Sequence, residues 1–397
     1  MLRLANFVAA IVIARVGGAA IFGIYATALA YVTVAAMVAD NGLGITTVRN
    51  IGRSPDQLNQ IVTQYGISKT ILFVPMAAGL AAIGWFAHLS ASEWLIAALI
   101  TFRTILQGYC QMQVTVLKAI DRMQSIGAIQ AVHSAVMLLA LWGCYVDRIN
   151  IYVVIAALVV AQCVELVLEA AWIRRAGIRP VPVHLRDCLH LLHGSTAVGV
   201  AVSLSSVIPR FDVIILSLIA GAAAAGVFAA AQTLIIIVYL LGSLLASVLF
   251  PEMARLTHMP REFRHYVHRW SIVVLGITVP GSLLAIAIGP SLMRTLFGHG
   301  FGASGNLLAI MLVAAPLIVL NALNLHRAFA LNQVRSYMGI YIGATVAAVL
   351  LDVSLGSRFG ASGIAVAVVL RECLVLTAFW VVRDEPQPFA TAPEVSF

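Results

Sequence analysis

The stretch Ile173–His193, IRRAGIRPVPVHLRDCLHLLH, decides how the chain divides, because it is the longest polar, proline-bearing interval in an otherwise apolar sequence of 397 residues. It falls close to the midpoint. Arg174, Arg175, Arg179 and Arg186 stand there against Asp187 alone. Positive charge at span ends resists translocation, so the stretch reads as a cytoplasmic loop. Pro180 and Pro182 remove amide donors and restrict the residues before them, which forbids one helix across the join. Beyond them Leu185, Leu189 and Leu192 recur at helical spacing among polar residues, which predicts a short helix over 184–193 lying in the headgroup layer.

Composition sets the class. The chain is 61% hydrophobic and 10% charged, against roughly a quarter charged for a soluble domain, and its mean hydropathy is +1.00. A span takes about 20 apolar residues. Six such runs precede the linker, at 2–17, 20–43, 63–87, 93–117, 126–146 and 151–173. Six follow it, at 194–219, 224–250, 270–289, 303–326, 336–352 and 361–382. The expectation is an all-α integral membrane protein of about twelve transmembrane helices: a six-helix lobe over 1–173, a cytoplasmic linker with its interfacial helix over 174–193, a second six-helix lobe over 194–383 and a disordered cytoplasmic tail over 384–397. Of the 24 Lys and Arg residues, seventeen fall on the linker's side, Arg148, Arg294 and Arg358 fall opposite, and Arg15, Arg103, Arg210 and Arg371 lie inside spans. Both termini are therefore expected in the cytoplasm. The net charge of +8 reflects membrane topology rather than a nucleic-acid partner. REFRHYVHRW (Arg261–Trp270), which interleaves bases with aromatics just before a span, reads as an anchor on anionic membrane lipid.

An internal repeat supports the division. VGGAAIFGIYA (Val16–Ala26) returns as IAGAAAAGVFA (Ile219–Ala229) at a constant offset of 203, aligning Gly18 with Gly221 and Gly23 with Gly226. Each copy turns between two spans, which makes Gly23 and Gly226 candidate turn or gate positions. Six is even, so both halves enter the membrane in the same direction and form parallel repeats about an axis along the membrane normal. The repeat opposes a signal-peptide reading of the first twenty residues. On the same offset Met1 falls on Leu204, so either span one is short and thins the bilayer locally or the true start lies upstream.

ARVGGAAIFGIYATALAYVTVAAMVADNGL (Ala14–Leu43) resembles the opening of polysaccharide transporters, the Wzx-type O-antigen and exopolysaccharide flippases of the multidrug/oligosaccharidyl-lipid/polysaccharide (MOP) superfamily. RFDVIILSLIAG (Arg210–Gly221), AGVFAAAQTL (Ala225–Leu234), LFPEMARL (Leu249–Leu256), LMRTLFGHGF (Leu292–Phe301) and RFGASGIAVAVVLRECL (Arg358–Leu374) carry the likeness through the second half. Val16 departs from the leucine usual in the first turn, and the turn lacks the common Gly-Pro. The resemblance implies a MATE-like bundle of two six-helix lobes that alternates between inward and outward openings, without a cofactor, in the bacterial cytoplasmic membrane. Its implied cargo is an oligosaccharide on undecaprenyl pyrophosphate, turned to the outer leaflet for O-antigen, capsule or exopolysaccharide assembly, with a polysaccharide polymerase and chain-length machinery as further partners.

A pyrophosphate crossing the bilayer needs cations within it, and intramembrane ionisable residues usually face a bundle interior or aqueous cavity. Arg103 lies fifteen residues before Lys118, about 22 Å deep, with no acid one turn away, so its guanidinium is available for paired hydrogen bonds to phosphate. Arg210 and Asp212 point to different faces of span seven. Arg371 and Glu372 lie near the middle of span twelve, and Arg15 near the outer end of span one can snorkel. The expected cavity residues are Arg103, Arg210, Arg371 and Arg15, with Asn321 and Asn324 on a shared face of span ten. Gln162, Glu165 and Glu169 share one face of span six. Glu169 is expected to pair with the cytoplasmic arginines, whereas Glu165, Asp212 and Glu372 are candidates for coupling to an ion. Asp40 matches the family's aspartate and suits a helix-end or gate contact. Pro75, Pro209, Pro280 and Pro316 offer bending points.

Other chemistries lack residues. Five scattered cysteines make no disulfide or metal framework, the HxxH pairs His190/His193 and His265/His268 have no carboxylate or cysteine cluster beside them, and no nucleotide-binding motif or catalytic constellation occurs. An ion-coupled multidrug or small-molecule antiporter of the same superfamily would need acidic residues lining a lobe. A membrane-embedded polysaccharide-modifying enzyme would need a sizeable outer loop or a reactive cluster, and the outer loops are short.

Overall fold

The computed structural model describes residues 2–146, 150–331 and 333–381, and the side chains of all these except 2–4, 38, 197–208 and 334–336. Arg148, Arg383 and the tail 384–397, with the side chains of Arg3 and Arg335, lie outside the described residues. Those described are mostly helical, without a strand: α1 Leu2–Asp40, α2 Leu43–Arg53, α3 Leu58–Phe86, α4 Ala91–Ala119, α5 Met123–Val146, α6 Ile151–Arg175, α7 Leu185–Leu256, α8 Pro260–Phe297, α9 Gly302–Leu312, α10 Ala315–Ala330 and α11 Val334–Val381.

Three of these helices are two spans joined at a glycine. Gly18 sits at φ 70°, ψ −179° and Gly221 at φ 81°, ψ 174°, a backbone region essentially closed to side chains. Asn6 and Met37 line one cavity, although an unbroken helix would hold them about 46 Å apart, so the chain reverses at Gly18. In α11 the break is Gly360 (φ 58°, ψ −138°), and the rings of Tyr341 and Phe379 return to within 6.5 Å of each other. With the eleven-residue α2 set aside, splitting α1, α7 and α11 and counting the bent pair α9–α10 as one span gives twelve helical passes among the described residues, as the sequence leads one to expect. Among the described residues, seven helices, or eight with the bent pair, are long and apolar enough to cross a membrane. The 29-residue α4 is long enough but carries Arg103 and many polar side chains. Exposed apolar residues such as Leu139, Ile277, Leu283 and Leu350 suit a solvent of hydrocarbon, in which association depends on packing rather than on apolar burial.

The chain forms two compact units, Met1–Gly226 and Val227–Phe397, so the span over 209–220 packs with the first six. In the first unit α6 packs on α4 and α5, and α1 crosses α3, α4 and α5. In the second, α8 packs on α9 and α10, and α11 on α9 and α10.

Two local expectations change. The helix begun at Leu185 does not stop at His193 but runs unbroken into span seven as far as Gly221. Cys188 and Leu191 turn inward while Leu185 and Leu189 stay exposed, and no separate interfacial helix exists. The linker before it is strapped to α3, with the Arg179 amide donating to Asn59 Oδ1 (3.1 Å) and the Val181 amide to Thr63 Oγ1 (3.2 Å). Between spans two and three the chain also forms α2, an amphipathic helix whose Leu43, Thr46, Thr47 and Ile51 are buried. Asn41 and Gly42, both with left-handed φ, make the turn into it, and Asn41 Nδ2 donates to the Leu192 carbonyl (3.0 Å). Among the prolines, Pro316 opens α10 after a 48° bend, whereas α3 and α8 continue as helix through Pro75 and Pro280.

Candidate functional site

The first unit encloses a cavity of about 400 Å³ lined by parts of α1, α3, α4 and α7. Its walls carry three cations, Arg103, Arg210 and Lys69, and one carboxylate, Asp40. The spacing on α4 explains its share: Arg103, Gln107 and Gln111 recur every fourth residue and so present one polar stripe. Arg103 is 8% exposed. Its Nη2 donates to Asn6 Oδ1 (2.9 Å), its Nε has no acceptor, and no described carboxylate pairs with it. A guanidinium keeps its charge at this depth, so Arg103 presents unspent donors to the cavity. Arg210, half-buried, joins it from α7.

Lys69, expected at a cytoplasmic span end, is instead 1% exposed on the cavity wall. Its Nζ lies 2.7 Å from Asp40 Oδ1 and 5.5 and 5.8 Å from the ring centres of Tyr65 and Phe73. The signal was present as aromatic residues four before and four after it, which on a helix flank the ammonium with ring faces. Asp40 is the partner that makes this burial tolerable, so its place at the end of α1 is an ion pair rather than a free gate residue. Beside this cavity, on adjoining turns of the same four helices, lies a second of about 560 Å³ with mostly apolar walls, among them Ile24, Leu80, Trp94, Phe102, Ile105 and Leu218.

The other expected site residues are elsewhere. Arg15 is exposed near the opposite membrane face, its Nη1 donating to Tyr145 Oη (3.0 Å). Arg371 lies in the second unit, 3% exposed, with Nε 3.6 Å from Glu372 Oε1 and Nη2 donating to Tyr239 Oη (3.3 Å). It therefore does not offer a free charge to a cavity. Glu372 in turn accepts from Tyr239 Oη (2.7 Å) and Asn321 Nδ2 (2.9 Å), so this network holds a paired, hydrogen-bonded carboxylate rather than one poised to take an ion. Asn324 is buried, and Asp212 is fully buried with polar partners of its own. Glu169, expected to pair with the arginines beyond it, is instead fully buried and faces the Cys110 thiol and the Glu165 carboxylate. Glu165 accepts from Gln162 Nε2 (2.6 Å). Gly23 and Gly226 meet each other: a Cβ on Gly23 would lie 1.7 Å from the Ala222 carbonyl oxygen, and one on Gly226 would lie 2.0 Å from that of Ala19. Ala19 and Ala222 are again 203 apart, so the repeat crosses itself at its own equivalent residues.

The family model described as polysaccharide biosynthesis protein matches residues 1–257, more than half of the chain. The chain belongs to that family. No curated protein sequence matches it. Among solved structures, an inward-facing multidrug resistance MATE transporter of the MOP superfamily is similar with a TM-score of 0.75 at 14% identity, over 96% of this chain and 93% of the other. The lipid II flippase MurJ in an inward closed conformation gives 0.75 at 10% identity, over 95% and 84%. A MOP superfamily transporter from Pyrococcus furiosus, described by the reverse polarity of its binding pocket, gives 0.63 at 14%, over 95% and 90%. At such identities the likeness establishes the fold. Family and fold together make the chain a multi-pass helical membrane protein of the polysaccharide biosynthesis family, built on the fold of these transporters.

Proposed function

We propose that this transporter turns an undecaprenyl-pyrophosphate-linked oligosaccharide from the inner to the outer leaflet of the bacterial cytoplasmic membrane, with both termini in the cytoplasm, for O-antigen, capsule or exopolysaccharide assembly. The observation that carries the reading is the sign of the first-unit cavity: Arg103 and Arg210 have no described carboxylate partner, and Lys69 is balanced by Asp40. A cavity with surplus guanidinium charge favours an anionic headgroup, because charge-assisted bonds to phosphate are roughly twice as strong as neutral ones. Gln107, Gln111 and Thr104 supply polar wall for sugars. The adjoining apolar cavity supports a lipid-borne cargo, and the structural likeness to a lipid II flippase accords with it. A multidrug antiporter taking organic cations would need the opposite sign here. A polysaccharide polymerase and chain-length proteins are the partners this role calls for.

The test is genetic and chemical. Deletion should accumulate lipid-linked repeat units on the cytoplasmic leaflet, and Arg103→Ala should reproduce that at unchanged protein level. Normal surface polysaccharide in the Arg103→Ala strain would remove this cavity from the mechanism.

A further inference from the structure

The second unit carries a charged face that the cargo site does not use. At 38 residues, about 57 Å, α8 is nearly twice as long as the roughly 30 Å hydrocarbon layer is thick. Its opening residues, Pro260 to Arg269, therefore stand outside the span expected over 270–289. Phe263 and Val267 turn inward to a buried cluster with Leu249, Met253 and Leu323, and Tyr266 and Trp270 pack half-buried at its edge. The opposite side of the helix is left open. Arg261, Arg264, His265, His268 and Arg269 recur there at spacings of three and four, and all five are exposed.

The charge on this face is not compensated within the protein. Glu262 is the sole carboxylate in Arg261–Trp270, and among the described residues no acid forms an ion pair with Arg261, Arg264 or Arg269. Glu252, the next acid back along the chain, is spent on Arg255 (2.7 Å). Arg264 gives one donor to the Pro260 carbonyl (3.3 Å) and keeps the rest. The same face then continues as hydrocarbon. Ile272, Leu275, Val279 and Leu283 follow at the same spacing, each exposed, and Gly276 among them has open space where a side chain would stand. Tyr266 and Trp270 sit at the junction, where amphipathic rings occupy the headgroup level. Arg264, His265, His268 and Arg269 lie within about 9 Å of Trp270 along the axis, a distance that snorkelling side chains can close. An acidic protein segment would meet the cations but would have no use for the apolar continuation, whereas a lipid matches both.

We propose that the outward face of α8 from Arg261 to Leu283 is a binding site for an anionic phospholipid, whose phosphate takes charge-assisted hydrogen bonds from the arginine stripe and whose acyl chain lies along Ile272, Gly276 and Val279. A neutral lipid fills the apolar part equally well and leaves the positive stripe unbalanced, so the site selects by headgroup charge. It belongs to the second unit, whereas the cationic cavity belongs to the first, and it does not rest on the transport reading above.

The experiment uses the full chain in phosphatidylcholine nanodiscs containing a fraction of either phosphatidylglycerol or phosphatidylcholine brominated on the acyl chains, since bromine quenches a tryptophan only where that lipid sits. Trp85→Phe, Trp94→Phe, Trp142→Phe, Trp172→Phe and Trp380→Phe leave Trp270 as the reporter, and a companion chain keeps only Trp142, which is exposed on α5. An arginine beside an anionic surface is worth about fivefold, so quenching at Trp270 should favour phosphatidylglycerol by about fivefold or more and quenching at Trp142 by less than about twofold. Arg261→Gln, Arg264→Gln and Arg269→Gln together should bring Trp270 down to the Trp142 level. Thermal unfolding checks that each variant is folded. Where the tryptophan-replaced chains are not, native mass spectrometry of wild type and the triple arginine variant takes their place: wild type should retain more phosphatidylglycerol than phosphatidylcholine, and the variant should retain the two alike. Equal binding of the two lipids in wild type, a preference as large at Trp142, or one that survives the triple substitution overturns the site. Polyglutamate that binds in pure phosphatidylcholine nanodiscs through these arginines, with no lipid preference at Trp270, assigns the face to an acidic protein segment and overturns it as well.

Discussion

The crossing of the two repeat copies can be broken with one methyl group. In Gly23→Ala the new Cβ would sit 1.7 Å from the Ala222 oxygen and 2.6 Å from its carbon. Ordinary contact needs about 3.5 Å or more, so the helices must part by well over an ångström. Both obstacles are backbone, which cannot rotate away as a side chain can. Overpacking typically costs about 1–3 kcal/mol, and a clash against backbone belongs at the upper end, so roughly 3 kcal/mol is expected. Gly226→Ala, meeting Ala19 oxygen at 2.0 Å, should cost about the same. Because both methyl groups enter one crossing, separation caused by the first makes room for the second. The double variant should then cost less than the sum by about 0.5–3 kcal/mol, the range of coupling for residues in contact. Equilibrium unfolding of the purified protein by SDS titration measures all three. Single variants within about 0.5 kcal/mol of wild type, or strict additivity, would refute the crossing.

Three further outcomes follow from the same structure. Arg103→Ala should weaken geranylgeranyl pyrophosphate binding by about 3 kcal/mol, roughly a hundredfold in Kd, through the loss of two charged hydrogen bonds. Arg103→Lys should recover only part of this because it lacks the planar fork. Asp40→Asn should destabilise the fold by roughly 2–3 kcal/mol, below the usual loss for a broken buried pair because Asp40 is itself 45% exposed; adding Lys69→Met, which removes the stranded charge, should restore most of it in the same SDS titration. Arg371→Ala should lower the unfolding midpoint by breaking the Tyr239–Glu372–Asn321 network while leaving the affinity of folded protein for the pyrophosphate probe within about twofold.

The span count, the linker and the duplication were legible because each rests on local pattern. Apolar run length sets the spans, Pro180 and Pro182 end a helix whatever surrounds them, and Gly18 and Gly221 occupy a conformation only glycine tolerates. What could not be read was which groups meet across the bundle. Arg371 looks as available as Arg103 in sequence, but its neutralisation depends on Tyr239, 132 residues away. Glu169 stands close in sequence to Arg174 and Arg175, yet the helix turns it inward while they remain exposed. His133 sits in an apolar run without a pattern of its own, and meets Glu165 (3.0 Å) only when α5 packs on α6. Basic residues usually mark span ends, but Asp40 and two aromatic rings hold Lys69 inside. The short α2 escaped because eleven residues with alternating polar side chains resemble a loop until Leu43 and Ile51 find α3 and α4 to pack on.

The central claim, that surplus guanidinium charge in the first unit carries an anionic lipid headgroup across the bilayer, is tested most directly by the rate at which undecaprenyl-pyrophosphate-linked oligosaccharide in reconstituted vesicles becomes accessible to an external glycan-cleaving enzyme. Wild-type protein should speed that exposure over protein-free vesicles, and Arg103→Ala at equal incorporation should slow it by at least about tenfold, equivalent to roughly 1.4 kcal/mol. Equal rates for the two proteins would contradict the account.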